Sequence, residues 1–269
     1  MTGLVEQLSR EDIPHNVALS NSVGWPDIEA EWRVVYDAAH VLGVRRAGQL
    51  VGQGALGLYQ GAGTILKMVV AESARRQGIG AAILDELLAE AARRALSTVG
   101  LVATPFGLPL YETRDFTPVG DVVIVVGTPL LEHSAEGATP VADAEQMLAI
   151  ERRFMAGSRA AVLRGRLRES CASALSAGGF ALATGHQMGS RVGPIVADSE
   201  EAARALATTL FRAAPGPVRL DVPGNQVAFR QWLVGLGLVE KGVHIEMSRG
   251  GALPWCVPER FGLATQAWG

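Results

Sequence analysis

The feature that most constrains this chain is the junction Val69-Val70-Ala71-Glu72-Ser73-Ala74-Arg75-Arg76-Gln77-Gly78-Ile79-Gly80-Ala81. A β-branched apolar run stops, two arginines and two glycines follow, and a long helical pattern begins at once. Glycine tolerates left-handed backbone, so Gly78 and Gly80 permit a tight strand-to-helix turn whose amides an anion can approach. The first amides of the helix have no intrahelical partner and lie at the positive end of its dipole. A pyrophosphate suits that place, with Arg75 or Arg76 adding charge-assisted bonds. The bland alternative is an ordinary turn with two solvated arginines. A dinucleotide-binding turn fails on sequence, because G-x-G-x-x-G would need glycine where Ile83 stands. It also fails on context, because the strands before the junction read as an antiparallel meander.

That meander comprises residues 41–45, 50–59 and 64–70, separated by Ala47-Gly48-Gln49 and Gln60-Gly61-Ala62-Gly63. Two helical patterns precede it, one opening at Ser9-Arg10-Glu11-Asp12 in the form of a capped start, the other over residues 27–37. After the junction, Ile83, Leu84, Leu87, Leu88, Ala91, Ala95 and Leu96 fall on one helical face. Arg93 and Arg94 complement the dipole at the end of that helix. Strands are expected at 98–103 and 116–126, with a short segment through Tyr111 between them. Residues 128–140 hold two prolines and a glycine and make the best linker. Beyond it the pattern repeats. Ile195-Val196-Ala197-Asp198-Ser199 matches Val69-Val70-Ala71-Glu72-Ser73, and each is followed by an apolar helix, a strand and a glycine-ended segment. The reading is two related modules in tandem, residues 1–130 and 131–269.

Composition excludes several classes. A chain that is 48% hydrophobic and 19% charged has the material for a substantial core. A net charge of -3 gives no electrostatic case for nucleic acid or an anionic membrane. The apolar run at 122–131 is far below the roughly 20 residues of a spanning helix. The first ten residues lack the basic start and apolar core of a signal peptide. Cys171 and Cys256 have no metal-ligand spacing and make a poor disulfide framework, so no metal site and a reduced, cytoplasmic setting are expected. Oligomeric state is left open.

With strand, Arg75-x-x-Gly78-x-Gly80 and helix in this order, residues 4–127 resemble the GNAT superfamily of acetyl-CoA-dependent N-acetyltransferases. The resemblance implies an α/β (α+β) fold of two tandem GNAT-like modules, each a mixed, largely antiparallel sheet flanked by helices. It implies that the turn Arg75, Arg76, Gln77, Gly78, Ile79, Gly80 and Ala81 holds the pyrophosphate of acetyl-CoA, and that Met68, Val69 and Val70 pair with its pantetheine arm. Tyr111-Glu112-Thr113-Arg114-Asp115-Phe116 resembles the family's Y-x-x-x-G-F segment, which implies that Tyr111 protonates the departing thiolate. A phenol with a pKa near 10 is a neutral donor at pH 7. Asp115 stands where the family has glycine. Alternatively, the Tyr111 ring simply packs on the core. Trp25 lies where the family builds the acceptor wall, or else packs a loop. Asp27, Glu29, Glu31, His15 and His40 could each remove a proton from an amine, and none stands out.

The second module lacks the phosphate-binding element. Asp198, Glu200 and Glu201 sit at the start of its helix, with Asp198 and Glu201 spaced as a capping box. Carboxylates there would repel a pyrophosphate. Trp232 and Leu233 occupy the position of Tyr111, and neither is an acid. Residues 154–167, Gly193-Pro194, Asp221-Val222-Pro223 with Asn225, and Met247-Ser248-Arg249-Gly250 resemble the degenerate C-terminal domain of a subgroup of bacterial GNAT proteins. That implies a second module that completes the acceptor pocket or stabilises the first. Asp221 and Asn225 either bind a polar substrate or cap a turn. The expected activity is direct transfer of an acetyl group to a primary amine on a small molecule. A non-catalytic acetyl-CoA-binding sensor or scaffold is the alternative.

Overall fold

The computed structural model describes residues 4–131, 143–156 and 158–269. Most of the expected linker and the 130/131 boundary's downstream side lie outside these residues. In the first half, β1 (Val5–Gln7) precedes α1 (Ile13–Ser22) and α2 (Glu29–Ala38). The expected meander follows as β2 (Ala39–Arg46), β3 (Gln49–Leu58) and β4 (Ala62–Val70). Then come α3 (Ile79–Arg93), β5 (Thr98–Ala103), the short α4 (Leu108–Glu112) and β6 (Thr117–Gly127). The second half repeats this order with α5 (Ala144–Phe154), α6 (Ala160–Arg168), β7 (Ser170–Ser176), β8 (Gly179–His186) and β9 (Gly189–Ala197). It continues through α7 (Glu200–Ala213), β10 (Val218–Pro223), α8 (Val227–Gly235), β11 (Val239–Arg249) and β12 (Arg260–Gly262).

All strands join one mixed sheet in the order β1-β2-β3-β4-β5-β11-β6-β10-β9-β8-β7, with β12 on β9. Among the described residues, only the pairs β4/β5 and β9/β10 are parallel. The centre is an exchange: β11 of the second half inserts between β5 and β6 of the first, and β6 pairs with β10 of the second. Neither half therefore keeps its own last strand beside its own penultimate one.

Directly paired residues share a face of a sheet. One face of the central strands carries Leu101, Ile245, Met247, Val123, Val125 and Leu220, which pack under α3 or α7. The other face carries Val102, His244, Glu246, Ile124, Arg219 and Asp221. Over the sheet's outer parts on this side, α1, α2, α5 and α6 close one shared apolar core containing Trp32, Val35, Met147, Leu163 and Trp268. Helix α2 meets α6 closely enough that a Cβ on Gly165 would stand 3.1 Å from Val34. Glu31–Arg166, Arg33–Glu169 and Asp37–Arg168 pair across that contact.

Two expectations need correction. Helix α3 ends at Arg93, and Ala95 takes a positive φ of 54°, so Ala95 and Leu96 lie beyond the helix. The cap of α7 is Ser199, whose hydroxyl accepts from the Ala202 amide at 3.3 Å, and not Asp198.

Candidate active site

Between β4 and β5 the ladder stops after the pair Thr64–Gly100. Beyond it β4 stays paired only to β3, through a bulge at Lys67, whose φ is +55°. The two parallel strands thus open a cleft facing the start of α3. Gly78 caps that helix in the left-handed conformation, φ +79°, and Arg76 also has positive φ. No side chain caps α3, and its first turn carries no acid. A Cβ on Gly80 would meet only Val70 at 3.5 Å and Leu110 at 3.8 Å, so space lies open above this amide. The sequence-predicted turn residues play different parts. Ile79 and Val69 bury their side chains in the core and offer backbone alone. Gln77 donates to the Ser73 carbonyl at 3.1 Å. Arg75 donates to the Val70 carbonyl at 3.2 Å and stacks over Phe106 at 5.4 Å. Arg76 is exposed and, among the described residues, has no partner. In the second half the corresponding loop shrinks to Asp198 and Ser199, and Ser199, Glu200 and Glu201 fill the helix start.

The cleft runs into a cavity of about 250 Å³. Its first-half lining includes Trp25, Asp27, Glu31, Lys67, Met68 and Tyr111. Tyr111 sits on α4, edge-on to Phe116 with centroids 5.9 Å apart. Arg114 fixes that helix to α3 through both oxygens of Asp85 at 2.6 and 3.0 Å. Burial pushes the Tyr111 phenol well above its ordinary value, so it is a neutral donor at pH 7. Asp115 adopts φ +64°, the left-handed conformation that the family's glycine supplies, so the turn after Tyr111 is kept. Trp25 lines the cavity and is exposed. Lys67 pairs with Asp27 at 2.5 Å and lies 5.6 Å over Trp32.

Sequence reasoning missed the second half's share. His186, Arg191, Arg219, His244 and Gln266 line the same cavity. Their signal was alternation: Val218-Arg219-Leu220-Asp221-Val222 and Val243-His244-Ile245-Glu246-Met247 put polar residues at every second position of strands whose other positions are core. In a central strand such a face is not solvent but an internal polar floor. Asp221 is 1% exposed and does not line the cavity. It is held by Arg191 at 2.7 Å, Arg219 at 2.8 Å and the Gln266 amide at 3.2 Å. Its carboxylate is thus engaged inside the protein, and Asn225 is exposed on a turn and does not line the cavity.

Glu31 is buried, which opposes its charge, yet Arg166, Lys67 and Arg191 outweigh burial and hold its pKa at about 2. His186 is the reverse case. Burial and the cations Arg191 and Arg219 lower it to about 4, so its imidazole is neutral at pH 7. Glu29, His15 and His40, the other candidate bases, do not line the cavity. Among the described residues no cluster of three or more His, Cys, Asp and Glu side chains could hold a metal, and no helix is long and apolar enough to cross a membrane.

Two acetyltransferase (GNAT) domain families match this chain, one over residues 26–135 and the other over residues 147–255. The chain is a tandem GNAT N-acetyltransferase. Among curated proteins it is similar to the uncharacterized N-acetyltransferase YitH of Bacillus subtilis (strain 168), 24% identical over 249 residues covering 86% of each chain. A solved structure from Pyrococcus horikoshii, described as a candidate acetyltransferase, superposes with a TM-score of 0.85 at 20% identity, covering 99% of this chain and 95% of that one. A tandem GNAT protein from the clavulanic acid biosynthesis pathway gives 0.67 at 14% identity, covering 93% and 99%. At these identities the structural likeness speaks for the fold. The tandem GNAT architecture read from the repeat is therefore shown, and the chemistry of this GNAT protein rests on its own residues.

Proposed function

We propose that this GNAT protein transfers an acetyl group from acetyl-CoA to a primary amine, directly and at a single site in its first half. Residues 1–130 carry the coenzyme site and the acid, and residues 131–269 complete the acceptor pocket. The observation that carries the reading is continuity: the uncapped, acid-free start of α3 opens through the β4/β5 divergence into a cavity that holds Tyr111.

The residues present fit acetyl-CoA. Amides of Gly78, Ile79, Gly80 and Ala81, with Arg75 and Arg76, would hold the pyrophosphate. The unpaired edge of β4 at Met68, Val69 and Val70 would bind the amide-bearing arm. When bound, the coenzyme supplies the activated acetyl group. Tyr111 gives its proton to the sulfur as the C–S bond breaks. Backbone amides of the splayed strand β4, near the Lys67 bulge, would stabilise the negative charge that develops on the thioester oxygen. Neither cysteine lines the cavity, which supports direct transfer over a covalent enzyme intermediate. Trp25 would form an apolar wall for the acceptor. A cavity of about 250 Å³ suits a small-molecule amine.

The test is calorimetric titration of acetyl-CoA into the wild type and into Gly80→Glu. The Cβ of that variant fits, while its carboxylate faces the helix start. One-to-one binding that falls at least 100-fold in the variant supports the reading; undiminished binding refutes the site. Binding without acetylation of any amine in a broad screen would favour the sensor or scaffold.

A further inference from the structure

Any alkylamine is an ammonium ion at neutral pH and must lose a proton before it can attack a thioester. Two histidines line the cavity, and their surroundings select opposite tautomers. His186 Nδ1 accepts from the Met188 amide at 3.4 Å, so its proton is on Nε2, which is buried without a partner. That ring has no accessible lone pair. The second ring, on β11, is set differently. Asp221 is fully buried between Arg191 and Arg219 and is kept ionised, so it can only accept. The Gln266 amide nitrogen must therefore face Asp221, as it does at 3.2 Å. This turns Gln266 Oε1 towards His244 Nδ1, 2.7 Å away. An amide oxygen accepts, so His244 Nδ1 must donate. In the uncharged form of the ring the proton is thereby placed on Nδ1, and Nε2 keeps its lone pair. His244 is half-buried and lines the cavity. The neighbour of His244, Ile245, pairs with Ala103 at the end of β5, from which the chain continues into α4 and Tyr111.

We infer that His244 is the general base of acetyl transfer, with Gln266 and Asp221 as its positioning residues, and that the acceptor is an amine basic enough to be protonated at neutral pH. This rests on the acetyl-transfer reading above. His244 Nε2 takes one proton from the acceptor ammonium and passes it to solvent. The nitrogen forms its bond to the acetyl carbon as the C–S bond breaks, with the electron pair leaving on sulfur. Tyr111 protonates that sulfur, and the second proton lost by the nitrogen restores the phenol. Ammonium and thioester thus become amide, thiol and one released proton. The second half of the protein, whose own strand-to-helix turn is filled by Ser199, Glu200 and Glu201, supplies the first half's base.

Two measurements test this. In protein labelled with ¹⁵N-histidine at pH 8, long-range proton–nitrogen correlation should show His244, assigned by its loss in His244→Gln, protonated at Nδ1. His186 should be protonated at Nε2. A His244 proton on Nε2 would overturn the inference. Gln266→Leu should mix the two tautomers of His244; an unchanged single tautomer would count against the relay. For turnover, acetyl-CoA is supplied at pH 7 with ethanolamine, which is protonated, or hydroxylamine, which is not. His244→Gln should lose about 10²–10⁴-fold of ethanolamine acetylation and less than about threefold with hydroxylamine. Equal losses on both, or none on either, would overturn the inference. Failure of acetyl-CoA to bind the wild type would instead remove the acetyl-transfer reading on which it stands.

Discussion

The pair Glu31–Arg166 ties α2 to α6 and so tests whether the halves are one energetic unit. Arg166 is 1% exposed and Glu31 is also shielded, at 11% of its side chain. Besides Glu31, Arg166 donates to Thr184 Oγ1 at 2.8 Å and to the Ala264 carbonyl at 2.9 Å. The Glu31 carboxyl is held at about 2 against an ordinary 4.5. Each unit of that depression corresponds to about 1.4 kcal/mol, so the charged form contributes about 3 kcal/mol at pH 7. Because the folded value is the lower one, this contribution is complete well above pH 4.5 and fades as pH falls towards 2. Breaking one side of a buried pair costs on the order of 3–5 kcal/mol. Arg166→Met should therefore lower the thermal midpoint by about 6–20 °C, at about 2–4 °C per kcal/mol for a chain of this size. Lys67 and Arg191 share in that depression, so a double-mutant cycle with Glu31→Gln, read by urea unfolding, should give a coupling of about 1–3 kcal/mol at pH 7 that shrinks at pH 3.5. A coupling below about 1 kcal/mol, or one unchanged between the two pH values, would refute the reasoning.

Other expectations are local. Tyr111→Phe should slow transfer by about 10²–10⁴-fold while leaving the calorimetric affinity for acetyl-CoA unchanged; unaltered turnover would remove Tyr111 as the acid. Asp115→Gly should relieve a left-handed aspartate and raise the thermal midpoint by about 1–3 °C, since the relief of about 1–2 kcal/mol exceeds glycine's entropic cost. A lowered midpoint would show that the Asp115 side chain matters to the turn. Gly165→Val should force methyl groups against Val34 and cost about 1–3 kcal/mol by denaturant unfolding; a neutral result would mean that α2 and α6 separate without penalty.

What could be read from the chain alone was whatever is written locally. The 75–81 junction, the α3 stripe through Ile83, Leu84 and Leu87, and β5 at 98–103 each rest on residues adjacent in sequence, and each was found in place. The turn after Tyr111 survived the loss of its glycine because aspartate, short and polar, can enter the left-handed region at modest cost. What could not be read was non-local. Nothing beside His244 announces that Gln266 will fold back beside it or that β11 will enter the other half's sheet. Asp221 looked like a turn cap or a ligand because its neighbours in sequence are a strand and a loop; only the partners Arg191, Arg219 and Gln266 define its part. The polar alternation in 218–222 and 243–247 was the available clue, and it becomes decisive only once those strands are known to be central.

The strand exchange explains how the second half can differ from the first at its strand-to-helix turn and still line the same cavity. Its altered turn lies between β9 and α7, where Ser199 caps the helix and Glu200 and Glu201 occupy the first positions. Its contribution to the first half's cavity comes from elsewhere: from β10, β11 and the segment around Gln266. A change in the turn leaves β11 untouched, whereas removal of β11 exposes the long edges of β5 and β6 and takes His244 with it. Selection on the turn and on the strand can therefore act separately. The first half is bound by the opposite logic. It has the uncapped start of α3 and Tyr111, but the floor of its cavity, with Arg191 and Arg219 around Asp221 and the Gln266 amide beside His244, comes from the other half of the chain. The two repeats are in this sense halves of one site, and the covalent link between them keeps a donated strand always paired with its recipient sheet.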